Sequence, residues 1–135
     1  MADRQVRALR GRRRAAALRT IGELEDRGCE AAGYRLSGDA IDHVCCRHLY
    51  GDDRMLLTWP AKDHAIVVLV ARHDGSGADV YGQLLAALAI AALGEEREKP
   101  PCCDDEGHPP ADAGVASDIA EAVERWARTH RRPPP

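Results

Sequence analysis

The stretch Ala65-Ile-Val-Val-Leu-Val-Ala71 decides the fold of this 135-residue chain. Its five inner residues are all apolar, so both sides of an extended strand would carry apolar side chains. A polar turn at residues 60–64 precedes the stretch, and another polar run follows it. We therefore expect residues 65–71 to form the central strand of a small sheet, with at least one helix packed on it.

Two further strands are expected before this one. Residues 43–50 and 54–59 are the candidates, and a turn at residues 51–53 separates them. Connections as short as these join antiparallel neighbours. The sequence therefore predicts an antiparallel sheet of three to four strands.

The N-terminal segment has helical periodicity. Residues 4–27 place apolar side chains on one stripe and arginines on the other positions, and Gly28 marks the end of the predicted helix. Gly11 and Gly22 lie inside this segment, and each costs about 1 kcal/mol relative to alanine. We therefore expect the helix to depend on packing against the sheet. The apolar stripe consists of Leu18, Ile21 and Leu24.

Two more helices are expected after the strands. The first follows Ser76 and Asp79, which have the spacing of a capping box, and it extends to Gly94. The second occupies about residues 115–131, and its stripe should be buried against the domain or against a second subunit. The side chains that recur at helical spacing are Val80, Leu84 and Leu88 in the first helix and Ile119, Val123, Trp126 and His130 in the second.

Together these elements predict an α+β fold, in which a small antiparallel sheet packs against the N-terminal helix and additional helices follow. The expected domain covers residues 1–94. An acidic, proline-rich linker is expected at residues 95–113, and residues 114–135 should hold the C-terminal helix and a disordered tail.

Charge and hydropathy narrow the class of protein. The first 35 residues carry nine arginines against five acids, although the whole chain has a net charge of −3. A basic front is compatible with a nucleic-acid surface, and solvated helix faces would give the same charges. No apolar run reaches the length of a membrane span, and no hydrophobic region follows the N-terminal arginines as it would in a signal peptide. A cytoplasmic protein without membrane association is therefore expected.

The cysteine pattern predicts reduced thiols. Five cysteines are an odd number for a disulfide framework, and the adjacent pairs Cys45-Cys46 and Cys102-Cys103 are unsuited to ordinary bridges. Cysteine and histidine also recur at residues 43–48 and 102–108, with the second segment the better candidate for a metal site. Neither segment has Cys-x-x-Cys spacing, and adjacent strand residues point to opposite faces. We therefore expect no metal and no cofactor.

Four short motifs point to a family. They are Arg35-Leu-Ser-Gly38 before the sheet, Asp53-Arg-Met-Leu-Leu-Thr58 after the first hairpin turn, the apolar strand at 65–70 and Asp79-Val-Tyr81 at a helix start. With these motifs in this order, roughly residues 8–90 resemble the RelE/ParE toxin superfamily, the small toxins of bacterial toxin-antitoxin pairs.

The resemblance implies a function and partners. In the RelE branch, a toxin bound to the ribosome cleaves messenger RNA through attack of a ribose 2′-hydroxyl on the adjacent phosphate. We therefore expect a ribosome-dependent endoribonuclease whose partners are a cognate antitoxin, messenger RNA and the ribosome, with the C-terminal helix as a surface for homo-oligomers. The alternative is a ParE-like or degenerate member that binds gyrase or another protein without cutting RNA. A third interpretation is a small scaffold that docks a partner.

The resemblance also implies a catalytic set. Arg54 matches the arginine that opens the second strand and contacts phosphate. Arg72 or His73 matches the basic residue after the third strand, and Tyr81 matches the tyrosine at the helix start. Cleavage of RNA needs a proton acceptor, a proton donor and cations that stabilise the transition state. Simpler interpretations exist: Arg54 could pair with the two aspartates before it, His73 could be a turn residue, and Tyr81 could pack beside its neighbours.

Basic residues outside this set are expected to bind RNA. Arg47 falls near one of the family's two basic positions on the preceding strand. The other position falls on Cys45, unless a shift of one residue brings His43 or His48 there. The candidate RNA-binding residues are Arg47, His48, Arg12 and Arg13.

Overall fold

The computed structural model of the chain describes residues 1–36, 41–90 and 99–130. Within these ranges it shows the α+β fold that the sequence predicts, one antiparallel sheet with helices packed on both faces. The elements in chain order are α1 (Ala2–Ala8), α2 (Gly11–Arg27), a 3₁₀ turn (Gly28–Ala31), β1 (Tyr34–Arg35), β2 (Val44–His48), β3 (Asp53–Ala61), β4 (His64–Arg72), α3 (Val80–Leu88) and α4 (Ala113–Thr129).

The strands lie in the order β1-β2-β3-β4, and every neighbouring pair is antiparallel. The middle of the sheet is therefore formed by β2 and β3, and the prediction that residues 65–71 form the central strand is wrong. β4 has one strand neighbour within the described ranges, and its Val70 N–H donates to Oε1 of Gln5 in α1 at 2.6 Å. Residues 65–71 are apolar on both sides because α1 covers one face of β4 while α3 and α4 cover the other.

The sheet separates two apolar layers because successive strand residues point to opposite faces. We call the face under α3 and α4 the front and the face under α1 and α2 the back. The front layer contains Val44, Cys46, Leu56, Leu69, Val80, Leu84, Ile119 and Val123. The back layer contains Leu9, Ala17, Cys45, Met55, Leu57, Trp59 and Val70.

The N-terminal segment forms two helices, so the prediction of a single helix is wrong. α2 begins at Gly11, whose φ of +56° is a left-handed conformation that glycine adopts without strain. Leu9 precedes it and is buried in the back layer, so the break lets both helices pack on the sheet. The buried side of α2 is also displaced from the predicted stripe, because Leu18 is 50% exposed while Ala17 and Thr20 are buried.

The third helix, α3, is shorter than predicted. Its N-cap is Asp79, whose Oδ1 accepts a hydrogen bond from the Gly82 N–H at 2.8 Å. The helix ends at Leu88, after which Ala89 adopts the left-handed region with a φ of +56°. The predicted end at Gly94 lies outside the described residues.

The predicted C-terminal helix is present as α4. Ile119 and Val123 are buried against the front of the sheet and α3, which confirms that the domain covers this stripe. Trp126 is partly buried, and its ring stacks on His130 with 4.5 Å between the ring centroids. The predicted disordered tail at 131–135 lies outside the described residues. None of the helices in the described ranges is long and apolar enough to span a membrane.

The prediction of reduced thiols is wrong for four of the five cysteines. Disulfides join Cys29 to Cys103 and Cys45 to Cys102. Cys102 is bonded to β2, and Cys103 is bonded to the 3₁₀ turn. Two cysteines that are neighbours in the sequence can therefore both form disulfides, because each reaches a different element. Cys46 is a free, buried thiol because it points to the front, away from its neighbour.

Candidate functional site

Four aromatic rings form a row on the front face, where β2 ends and α3 begins. The Tyr34 hydroxyl lies 3.1 Å from His48 Nε2 and 3.3 Å from the Tyr81 hydroxyl. The Tyr81 ring packs edge-on against His73, with 4.8 Å between the ring centroids. We call His48, Tyr34, Tyr81 and His73 the ring row. It brings two predicted catalytic residues together with one predicted RNA-binding residue.

Strand register explains why these rings meet. Tyr34 in β1 pairs with Cys46 in β2, and His48 lies two residues further along on the same face. Arg54 in β3 is directly opposite His48, so it joins the row from the neighbouring strand. The first turn of α3 is packed into the front layer, which places Tyr81 over this end of the sheet.

Arg54 forms no ion pair within the described ranges. Its Nη1 donates to the backbone carbonyls of Gly51 at 3.3 Å and Asp53 at 3.0 Å, and its Nε is buried without a partner. The Asp53 carboxylate points to the back instead, where it accepts two hydrogen bonds from Arg13 at 2.7 and 2.8 Å. Within the described ranges, Arg54 is therefore not paired with the aspartates that precede it. Its guanidinium charge is left for an anion.

His73 is oriented by Asp79. The two side chains meet through Nδ1 and Oδ2 at 3.1 Å, and the carboxylate also accepts hydrogen bonds from the N–H groups of Gly75 at 3.0 Å and Gly82 at 2.8 Å. Burial raises the pKa of Asp79, but these hydrogen bonds outweigh burial and hold the pKa below its usual value. Asp79 is therefore a carboxylate at neutral pH, and it holds a His73 side chain that is 47% exposed.

A close backbone approach holds the loop before α3 in place. A side chain on Gly82 would collide with the carbonyl group of Gly77, so only glycine fits at this position. The loop carries His73 at its start and Asp79 at its end. Its compact form therefore keeps these two side chains in contact.

The two tyrosines inside the ring row are partly buried, and they lie beside the buried thiol of Cys46. The Tyr81 hydroxyl lies 3.1 Å from the Cys46 sulfur, and burial is the main cause that raises the pKa of both groups. Burial is also the main cause that raises the pKa of Tyr34. At neutral pH these three groups act as uncharged hydrogen-bond partners, so they position the histidines rather than carry charge.

His48 lies at the outer end of the row. Partial burial, and then the positive charges of Arg54 and Lys99, lower the pKa of its imidazole. The Lys99 ammonium lies 5.1 Å from the centre of the Tyr34 ring, the neighbour of His48 in the row. The His48 imidazole is therefore mostly neutral at pH 7 and can accept a proton.

Two of the predicted RNA-binding arginines form ion pairs on the back of the sheet. Arg47 donates from Nη2 to Glu23 at 3.0 Å. Arg13 donates to the two carboxylate oxygens of Asp53, and this hydrogen bonding raises the pKa of the guanidinium further. Both arginines therefore stabilise the packing of α2 on the sheet, and neither reaches the ring row.

Arg72 and Arg12 are exposed and stand apart from the row. Arg72 is opposite Asp53 in the strand register, which places it on the back, whereas His73 has turned into the loop before α3. Arg12 lies in the first turn of α2. Of the two candidates for the basic residue after the third strand, the structure brings His73 into the row.

Sequence reasoning missed Tyr34, Cys46 and Lys99, and it treated Asp79 only as part of a helix cap. Tyr34 belongs to a strand of two residues, which is too short to show alternation. Lys99 reaches the row because disulfides hold residues 99–103 beside β1, and no spacing in the sequence indicates those pairings.

Comparison with protein-family models, with curated proteins and with solved structures gives no significant match to the chain. Within the described ranges, no group of three or more histidine, cysteine, aspartate or glutamate side chains is arranged to hold a metal ion. What the site offers is two imidazoles, one of them oriented by a carboxylate, beside an arginine without an ion pair. Imidazoles can accept and donate protons near neutral pH, and a guanidinium can bind the oxygens of an anion such as phosphate.

Proposed function

We propose that this protein is the toxin of a bacterial toxin-antitoxin pair and that it acts as a ribosome-dependent endoribonuclease of the RelE type. The observation that carries the proposal is the ring row with Arg54, in which two histidines and an arginine lie on one partly exposed face. These groups supply a proton acceptor, a proton donor and a cation. The motif resemblance supports the same class of function.

The proposed reaction is attack of a ribose 2′-oxygen on the adjacent phosphorus. His48, whose imidazole is mostly neutral, takes the proton of the 2′-hydroxyl as the new oxygen–phosphorus bond forms. His73 donates a proton to the 5′-oxygen as the bond between that oxygen and phosphorus breaks. The products are a 2′,3′-cyclic phosphate and a 5′-hydroxyl end, and the two histidines have exchanged protonation states.

The remaining residues of the site stabilise charge and hold geometry. The Arg54 guanidinium donates to the non-bridging oxygens as negative charge builds on the phosphate. Asp79 fixes the orientation of the His73 ring. Tyr34 and Tyr81 connect the two histidines and set their spacing.

Under this proposal the protein works in the cytoplasm, where the ribosome and messenger RNA are found, and a cognate antitoxin inhibits it. Arg12 and Arg72 are exposed and form no ion pair within the described ranges, so they are the predicted basic residues that are left to contact the RNA backbone. Arg13 and Arg47 have a structural part instead, because carboxylates hold them on the back.

The alternative is a ParE-like or degenerate member that binds gyrase or another protein and cleaves no RNA. One observation favours it. The Tyr81 hydroxyl is held between Cys46 and Tyr34, so the tyrosine that the resemblance places at the helix start is already engaged inside the protein. Under this alternative the ring row is a structural network, and substitutions in it change stability alone.

An assay on intact ribosomes separates the two functions. The purified protein is added to ribosomes programmed with a message and, in parallel, to the same RNA without ribosomes. We expect cleavage of the ribosome-bound message, with 2′,3′-cyclic phosphate ends, and inhibition of growth when the protein is expressed. A folded protein that inhibits growth but leaves the message intact would favour the protein-binding alternative.

A further inference from the structure

Residues 99–103, which we call the stapled segment, lie beside β1. The Arg35 N–H donates to the Pro100 carbonyl at 2.8 Å, and the Cys102 N–H donates to the Gly33 carbonyl at 3.0 Å. The Arg35 side chain adds a bond from Nε to the Cys102 carbonyl at 3.0 Å. The segment therefore extends the sheet by a short length of backbone next to the ring row.

Two disulfides hold the stapled segment against the rest of the fold. Cys102 is bonded to Cys45 in β2, and Cys103 is bonded to Cys29 in the 3₁₀ turn. The bonded residues are 57 and 74 positions apart, so each disulfide closes a long loop. Cys45 and Cys102 are fully buried while Cys103 is partly exposed, so a reductant reaches the Cys29–Cys103 bond first.

The stapled segment places a cation at the site. Its first residue, Lys99, has its ammonium 5.1 Å from the centre of the Tyr34 ring, and the Tyr34 hydroxyl lies 3.1 Å from His48. The positive charges of Arg54 and Lys99 both lower the pKa of His48, in addition to the effect of partial burial. Two cations therefore lie at the end of the row where the proposed reaction removes the 2′ proton.

We propose that the stapled segment is part of the catalytic site, to which it supplies Lys99 as a second cation for RNA phosphate, and that reduction of both disulfides releases it and lowers activity. The effect on cleavage rests on the proposed function, whereas the release of the segment does not. Lys99 suits this task because an ammonium is a compact point charge on a flexible stem.

Release requires a dithiol reductant, either a small molecule or a dithiol protein. For each disulfide, one dithiol gives up two electrons and two protons, the protein sulfur–sulfur bond breaks, and two protein thiols form while the dithiol closes to its own disulfide. Two equivalents of dithiol therefore open both bonds. The site is complete in the oxidised protein and incomplete in the reduced one.

The release is tested by following the titration of the His48 ring by NMR in the full-length protein, before and after incubation with dithiothreitol. A positive charge nearby lowers the pKa of His48, so loss of Lys99 from the row should raise its titration midpoint. Lys99→Ala in the oxidised protein should raise the midpoint by the same amount as reduction. This variant keeps both disulfides, so its result stands even if the reduced protein unfolds.

The matched control is Lys62→Ala, which removes an exposed lysine from the turn between β3 and β4. It should leave both the His48 midpoint and cleavage unchanged. Cleavage of ribosome-bound message should slow roughly tenfold or more in Lys99→Ala and in reduced wild type. Lys99→Arg, which keeps the charge, should retain most of the rate.

A Lys99→Ala variant with the wild-type His48 midpoint and the wild-type cleavage rate would overturn the proposal. An unchanged midpoint in reduced protein that is still folded would overturn the release. If wild-type protein cuts no RNA while the midpoint responds as expected, the proposed function fails and the reducible attachment of Lys99 to the row stands.

Discussion

The two faces of the sheet use the same side-chain types in opposite ways. On the back, Arg13 is paired with Asp53 and Arg47 with Glu23. On the front, Arg54 forms no ion pair within the described ranges and lies beside the ring row. A paired arginine stabilises the fold and offers little to a ligand, whereas an unpaired one suits a phosphate. Strand alternation puts Arg47 on the back and Arg54 on the front, so arginine content alone does not locate the site.

The largest expected effect is on catalysis at the front. His73→Gln should slow single-turnover cleavage of ribosome-bound message by about 100-fold or more, because the proton donor is lost. The matched control is His43→Gln, because His43 also contacts an aspartate, Asp42, at 2.9 Å. His43 directly precedes the first residue of β2, whereas His48 is the last residue of that strand. Equal rates for the two variants would remove the distinction between the ring row and an ordinary surface pair.

The next effect is on stability at the back. The Asp53 side chain is 1% exposed and accepts two hydrogen bonds from Arg13. Asp53→Ala should therefore lower the free energy of unfolding in urea by roughly 1.5 to 3 kcal/mol, the usual range for hydrogen bonds to charged groups. Cleavage per folded molecule should stay near the wild-type value. A loss of cleavage well beyond the loss of folded protein would show that the back takes part in the chemistry.

A smaller effect links stability at the front to pH. The pKa of His48 is lowered in the folded chain by partial burial and by the charges of Arg54 and Lys99. The unfolded chain binds this proton at about pH 6.5, so the contribution of His48 to stability is complete above that pH and is lost as the pH falls toward the folded pKa. His48→Gln should make the free energy of unfolding less dependent on pH between about 5 and 7. The same slope in the variant and in wild type would contradict this assignment.

The smallest effect is expected on the outer side of α2. Leu18 is 50% exposed, whereas Ile21 packs against the back layer. Leu18→Ala should change the free energy of unfolding by less than about 0.5 kcal/mol. Ile21→Ala should cost clearly more in the same urea experiment. A larger loss in the free energy of unfolding for Leu18→Ala than for Ile21→Ala would support the apolar stripe that the sequence predicts.

Local patterns were sufficient for most of the fold. Apolar runs and short turns located β2, β3 and β4, and helical spacing located α4, because these signals depend on neighbouring residues. The edge position of β4 could not be read in this way, since helices on both faces make a strand apolar whether it lies in the middle of a sheet or at its edge. The break before Gly11 depends on burial of Leu9, which is a tertiary effect.

The residues of the candidate site also differ in whether a local sequence pattern indicates them. Arg54, His73 and Tyr81 lie at the ends of strands and at a helix start, where a motif marks them in the sequence. Tyr34 and Lys99 carry no such mark. Their positions depend on a strand of two residues and on disulfides between residues 57 and 74 positions apart.

The most direct test of the difference between the two faces compares Arg54→Ala with Arg47→Ala. Single-turnover cleavage of ribosome-bound message is measured for both variants and wild type, with a urea unfolding curve for each. We predict that Arg54→Ala folds and loses about 100-fold or more of the rate. Arg47→Ala should lose stability and keep the wild-type rate per folded molecule. Equal rates for wild type and Arg54→Ala, with both proteins folded, would contradict the placement of the site on the front.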